Sequence, residues 1–435
     1  MNDALVSLFH NLKSAALPLP TRPYAKLDRE PVLTSRASKP QPERAIVPWK
    51  EVGLQAAGIW LVSRVVILVF TYFAVILNGQ PTSPKPNLHR LGPSALLNGW
   101  HQWDVGWYTN IAVHGYHDWH ATAFFPFFPL LTHLVTVVIG KTHVLGAAMI
   151  VSNVGALVAF VAIGWLAAFE FGPRVSSYAV RAAAAYPFMF FTFAGYSDSW
   201  LLAWCALSLL FARRSMWSWC AACAFMAAVS RPTSLALIAP LIWEYGRQLH
   251  AQGGWPPKRL TLRVIAEGIA VAAAVPLGFA VYGFYLWHRF HNPLEWVKAQ
   301  QAWQHNTVMP WDWAYMALDK LNSTPAYTFP QARVVMDLGA VILIAALTVW
   351  GARRLPSTLT VYMVAVIGLL VTAAVPSDYD PFNAESRYLI MAIPIFLLLG
   401  RWMYRRPWLD FLVVGGGILL QGVFAAFWLR GGWIV

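Results

Sequence analysis

The sequence predicts an all-α polytopic integral membrane protein of about eleven transmembrane helices, on three observations. Of the 435 residues, 58% are hydrophobic and only 12% charged, about half the charged share usual in soluble domains. The apolar residues run in blocks, several near the ~20 residues needed to cross about 30 Å of hydrocarbon. The Lys and Arg behind the net charge of +13 sit in short clusters between those blocks. That pattern marks membrane topology, not the basic face of a nucleic-acid binder.

Residues 1–50 hold eight Lys/Arg, several prolines and little apolar periodicity, which predicts a disordered cytoplasmic tail. The first long apolar block begins near Val52, too late for a cleavable signal peptide. Residues 51–435 then read as one transmembrane domain. Its first span is Leu54 to Leu77, followed by candidates at 144–169, 178–195, 264–287, 333–351, 358–375, 387–402 and 408–429. Between Trp200 and Tyr245, Arg213-Arg214 and Arg231-Pro232 divide the run into three segments of about 15 residues, short for full spans. Broken helices at membrane depth line cavities. Phe124 to Gly140 is apolar but short and holds Pro126 and Pro129; it reads as a re-entrant hairpin or a true span, with the hairpin preferred. Cys205, Cys220 and Cys223 all lie in apolar segments and read as small packing residues, not metal ligands.

With the N-terminus inside, 21 Lys/Arg fall on the cytoplasmic side and seven outside, as the positive-inside rule requires. Three outer loops result, at 78–123, 288–332 and 376–387. They are rich in Trp, Tyr, His, Asp and Asn. Interfacial belts account for many of those rings but not for the carboxylates.

The densest constellation is Trp100 to His120. Asp104, amid aromatic groups at a membrane face, is the first candidate for a general base tuned by partial burial. The alternative is an exposed carboxylate among anchoring tryptophans. His114, His117 and His120 with Asp118 would suit a metal only if that stretch is helical, and Gly115 weakens the helix. Tyr196-Ser197-Asp198-Ser199 places an acid between two apolar runs, either as a functional group or as a helix cap. Arg231 interrupts an apolar stretch and needs an anion, such as phosphate, or a carboxylate such as Asp198. Asp378-x-Asp380 invites a divalent-metal reading that its context does not support. Arg387, at a helix start on the side poor in positive charge, suits an anionic headgroup.

At these residues the chain resembles the PIG-V-type mannosyltransferases of the GT-C superfamily, multi-spanning enzymes that use polyprenyl-phosphate sugars. The resemblance rests on Trp103-Asp104 with Trp107-Tyr108, Ile111-Ala112, Gly115-Tyr116 and Phe124 to Leu131. It continues through Tyr196-Ser197-Asp198-Ser199, Arg231-Pro232-Thr233, Asn292-Pro293-Leu294 to Gln300, Trp303, Pro310-Trp311, and Arg387-Tyr388 with Pro394. Order and spacing hold from about 52 to 429, with Asp198 where the family usually has Glu. The resemblance implies a GT-C-like bundle with a large first extracytoplasmic loop, in a bacterial inner membrane. It also implies inverting transfer of mannose from polyprenyl-phosphate mannose to a lipid or glycan acceptor, with Asp104 as base. Arg387 and Arg231 would hold the leaving phosphate, with Lys298 and His305 as alternatives. Trp103, Trp107, Tyr108, Tyr196, Asp198 and Tyr388 would complete the substrate site. A GT-C transferase for another sugar and a transporter or flippase of lipid-linked substrates are the competing readings. No internal repeat favours the transporter.

Overall fold

The computed structural model describes residues 47–78, 93–251, 261–303, 306–374 and 384–432. Most of the expected tail, residues 1–46, lies outside them, as do His305, Asp378 and Asp380.

In chain order the helices are α1 (Trp49–Asn78), α2 (Pro93–Asn98), α3 (Asp104–His114), α4 (Phe127–Ile139), α5 (Val144–Phe171) and α6 (Pro173–Ala184). Next come α7 (Asp198–Arg213), α8 (Trp217–Ala228), α9 (Ile238–Ala251), α10 (Leu262–Phe290), α11 (Glu295–Ala302) and α12 (Pro310–Ser323). The chain continues with α13 (Phe329–Gly351), α14 (Ser357–Val371), α15 (Glu385–Tyr388), α16 (Ile393–Arg405) and α17 (Pro407–Leu429). Among the described residues the strands are two-residue pieces, β1 (Asn306–Thr307) paired antiparallel with β2 (Ala373–Ala374). The protein is an all-helical polytopic membrane protein.

Among the described residues five helices are long and apolar enough to span alone, and a sixth if a bent pair counts as one span. The other expected spans are shorter or broken, for local reasons. The expected span at 178–195 is not one helix: α6 stops at Ala184, just before Tyr186-Pro187, and a 3-10 turn covers Met189–Thr192. Proline both removes a donor and pushes the preceding residue out of helical geometry. The span expected at 387–402 breaks at Ala392, ahead of Pro394, with a bend of 75° between its halves. The one at 358–375 is the 15-residue α14, ending at Val371. The three short segments between Trp200 and Tyr245 appear as α7, α8 and α9 with a 3-10 stretch at Pro232–Leu237. Phe124 to Gly140 is not a hairpin of two halves. It forms one 13-residue helix, α4, ended by Gly140 at φ 95°.

Helix α5 is the central strut. It runs antiparallel to α1, with Trp165 Nε1 donating to the Trp49 carbonyl at one end and Arg64 Nη1 to Asn153 Oδ1 nearer the other. Apolar lipid gives little hydrophobic drive for helix association, so small residues and close van der Waals contact must do that work. A Cβ on Gly400 of α16 would sit 2.4 Å from the Ala179 nitrogen of α6, and one on Gly278 of α10 2.5 Å from Ala228 Cβ of α8. Helix α7 packs along α5 and, at 16 residues, is roughly 24 Å long. Its two ends carry buried charged groups, Asp198 at the start and Arg213 at the finish.

Candidate functional site

Four elements far apart in sequence meet at the start of α7. Asp198, the first residue of that helix, is 5% exposed and accepts from both Arg387 Nη2 at 2.8 Å and Arg231 Nη1 at 2.9 Å through the same oxygen. Arg387 Nη1 reaches across to Asp104 Oδ2 at 3.2 Å. The guanidinium of Arg387 lies over the rings of Tyr196 and Phe191, at 4.4 and 4.6 Å, and Arg231 lies over Tyr388 at 5.1 Å. Tyr108 and Ser197 share a hydroxyl hydrogen bond of 2.6 Å, and Arg231 also reaches Ser197 at 3.4 Å. Of the two readings of Arg231 left open by its sequence context, pairing with Asp198 is realised. Ser197 makes no side-chain capping bond to α7; its hydroxyl is turned into the cluster instead.

Each charged group is placed by a local device. Asp104 opens α3, and the residue before it, Trp103, sits at φ 51° and ψ −121°. Such a conformation costs a bulky side chain about 1–3 kcal/mol and persists only where the surroundings enforce it. The Asp104 backbone N–H then donates to the Tyr196 hydroxyl at 3.2 Å. Arg387 belongs to the four-residue α15, which follows Ala384 at φ 63°. That turn is pinned from three sides. Asp337 of α13 accepts from the Ser386 backbone N–H at 2.8 Å and from its hydroxyl, Tyr186 donates to the Ser386 carbonyl, and Glu385 accepts from Trp313 Nε1 at 2.8 Å. Arg231 stands in extended geometry ahead of Pro232, which starts the 3-10 stretch.

The cluster holds two guanidinium groups and two carboxylates, so it is electrically balanced as it stands. It is not saturated: among the described residues the buried Arg387 Nε has no hydrogen-bond partner, nor do the hydroxyls of Thr233 and Ser234 beside Arg231. The carboxylates differ in access. The Asp104 side chain is 28% exposed and that of Asp198 5%. Asp198 can therefore fix two arginines while Asp104 faces an entering molecule. This arrangement can grip an anion with two planar cations and present one reachable base beside it.

Other expected site residues lie apart. Trp107 stacks on Phe124 and meets Trp303 edge-on, so its ring is engaged in packing. Lys298 pairs with Glu295 at 3.1 Å and sits over the Trp119 ring. No hydrogen bond or ion pair among the described residues links Trp107 or Lys298 to the Arg387 cluster. The three histidines do not form a helical row, because α3 ends at His114 and Gly115 follows at φ 76°. His120 instead donates through its backbone N–H to Asp118 and pairs with it through Nδ1, which holds that carboxyl below its usual range. No group of three or more metal-binding side chains occurs among the described residues.

Sequence reasoning missed Asp337, Glu385 and Tyr186, which hold the Arg387 turn. For Asp337 the signal was present, an acid inside the apolar run 333–351, where ionisable residues are functional candidates by default.

No protein-family model matches the chain, and no curated protein sequence matches it. Among solved structures it is similar to ArnT from Cupriavidus metallidurans bound to undecaprenyl phosphate. That match has a TM-score of 0.45 and 13% identity, over 85% of this chain and 75% of that one. It is also similar to the Archaeoglobus fulgidus oligosaccharyltransferase in complex with zinc and sulfate, with a TM-score of 0.36 and 11% identity over 86% of this chain and 52% of that one. The same enzyme tethered to an acceptor peptide gives a TM-score of 0.38 and 12% identity, over 86% of this chain and 55% of that one. The chain spans about half the length of the oligosaccharyltransferase. These scores describe a loose likeness of helical architecture.

Proposed function

We propose that the protein is a GT-C-type membrane mannosyltransferase that moves a mannosyl group from polyprenyl-phosphate mannose to a hydroxyl of a lipid or glycan acceptor. The observation that carries the reading is the convergence at one point of Asp104, Tyr108, Tyr196, Asp198, Arg231, Arg387 and Tyr388. Each was singled out by the resemblance to the PIG-V-type family, and a purely structural ion pair would not require that whole set.

In this reading Arg387 and Arg231 hold the phosphate of the donor, with the buried Asp198 locking both guanidinium planes. The acceptor oxygen attacks the anomeric carbon from the face opposite the phosphate. The carbon–oxygen bond to phosphate breaks with its electron pair passing to the phosphate oxygen, and Asp104 takes the hydroxyl proton. Configuration inverts through an oxocarbenium-like state, and one carboxylate suffices because phosphate leaves without a strong acid. The site faces the extracytoplasmic side of a bacterial inner membrane, and the chain ahead of α1 lies on the cytoplasmic side.

The test is to incubate membranes containing the chain with labelled polyprenyl-phosphate mannose and candidate acceptors, and to extract the product. Label in a new glycolipid or glycan supports the reading. Label carried across the membrane without a new glycosidic bond points to a transporter, and transfer only from a different sugar donor moves the assignment to another GT-C activity.

A further inference from the structure

We propose that Arg387 changes partners during the reaction, releasing Asp104 when a lipid phosphate binds, so that the donor's arrival frees the base. This rests on the transferase reading above and adds an order of events to it.

The two arms of Arg387 are unequal. Its bond to Asp198 is 2.8 Å long, to a side chain 5% exposed that Arg231 also grips. Its bond to Asp104 is 3.2 Å long, to a side chain 28% exposed. A longer contact to a partly hydrated carboxylate is the easier one to surrender, because water can take over the solvation of that group. Charge points the same way. Arg231 and Arg387 are matched one for one by Asp104 and Asp198, so an entering phosphate would leave a buried negative excess unless one carboxylate withdraws. Asp198 cannot withdraw without stranding two arginines. Asp104 can.

The backbone allows it. The Asp104 N–H stays bonded to the Tyr196 hydroxyl at 3.2 Å, so the exchange needs only a side-chain rotation at the first turn of α3. Arg387 also keeps one N–H to spare, since among the described residues its buried Nε has no hydrogen-bond partner. Before donor binding one oxygen of the Asp104 carboxylate is occupied by the Arg387 guanidinium. Once phosphate takes that guanidinium, Asp104 is free to accept the acceptor's proton. The carboxylate therefore competes with the donor phosphate for Arg387 until the donor wins.

The test is titration of the full chain, in lipid nanodiscs, with polyprenyl phosphate carrying no sugar. Wild type is compared with Asp104→Asn and, as a second route to the same loss of charge, Asp104→Ala. Each variant is first checked for monodisperse elution. Removal of the competitor should tighten phosphate binding by about fivefold in both variants while transfer is lost. Binding by the variants that equals or falls below wild type overturns the exchange and leaves the transferase reading intact. Absence of binding to wild type removes that reading and the exchange with it.

Discussion

Helix α7 carries a group of two arginines and two carboxylates at each end, centred on the buried Asp198 and the buried Glu244, and the two groups are built differently. At the finish of the helix, Arg213 is bonded through Nε and Nη2 to Glu170 and through Nη1 to Glu244. Glu244, fully buried, also accepts from Arg247, Gln248 and Thr358. Every oxygen of Glu244 and every nitrogen of Arg213 is satisfied. At the start of the helix, Arg387 has an idle Nε, and Asp104 holds a single contact at 3.2 Å. A saturated buried network rigidifies the fold, whereas an unsaturated buried group carries a cost that calls for a reason. Similar charges at the two ends of one rod thus form a saturated clamp at the finish and, at the start, the cluster we propose as the site.

The largest expected effect belongs to Asp104→Asn. The amide keeps the shape but cannot accept the proton, so transfer should fall by about 100- to 10,000-fold, the range for loss of a general base. Thermal unfolding should stay near wild type, because the Asp104 backbone bond to Tyr196 survives. Turnover close to wild type in a membrane transfer assay would remove Asp104 from the chemistry. Second, Arg213→Ala strands the buried Glu170 carboxylate, while Glu244 keeps Arg247, Gln248 and Thr358, and should cost roughly 3–5 kcal/mol of stability, as breaking a buried ion pair does. A detergent unfolding scan reads that loss. Arg387→Lys is the counterpart at the other end: it keeps the charge but loses the planar fork, so it should lower transfer far more than it lowers the unfolding midpoint. If Arg387→Lys and Arg213→Ala shift the midpoint equally, the two ends are both clamps.

How much of this was legible in the sequence depends on the range of the cause. The membrane class follows from composition and block length, which are properties of the chain alone. So does the site's membership in large part, because Asp104, Asp198, Arg231 and Arg387 each sit where an apolar run starts or breaks, and a charge there needs a reason. Their mutual pairing was legible only for Arg231 with Asp198. That Arg387 would bridge Asp198 and Asp104 depends on how α15 is held by Asp337 of α13 and by Tyr186, contacts between segments at least 49 residues apart. The end of α6 ahead of Pro187 carried a local signal that hydropathy masked, since the residues around it are as apolar as a span. Lys298 and Trp107 were placed near the site because they share its loops, and loop membership does not fix distance.

Asp337 allows a finer cut between clamp and site. It touches neither Asp104 nor Asp198 in any described bond, and it acts on Arg387 through Ser386. Asp337→Ala leaves the Ser386 N–H buried without its acceptor, at a cost of about 1–3 kcal/mol, and lets the Arg387 turn drift. Transfer should fall about tenfold or more, since small misplacement of a positioning group carries large rate penalties. Asp337→Asn keeps an acceptor oxygen and should restore most of the activity. Failure of Asn to rescue would mean that the charge of Asp337, not its hydrogen bonds, sets the position of Arg387.

The smallest effect belongs to Lys298. Its side chain is 57% exposed and its ammonium is already committed to Glu295 and the Trp119 ring. The pair is open to water at its lysine end, and the buried Glu295 keeps the Asn292 amide as a donor, so losing the ammonium costs about 1 kcal/mol, and no bond among the described residues brings the ammonium to Arg231 or Arg387. Lys298→Ala should therefore change the apparent KM for a polyprenyl-phosphate donor by less than about fivefold, the factor that corresponds to 1 kcal/mol. Glu295→Gln should behave alike, because it removes the same pair from the other side. A loss of a hundredfold on Lys298→Ala alone would place the lysine on the phosphate path, which requires α11 to close over the cluster during turnover. The site would then extend from the start of α7 into the loop system between α10 and α12.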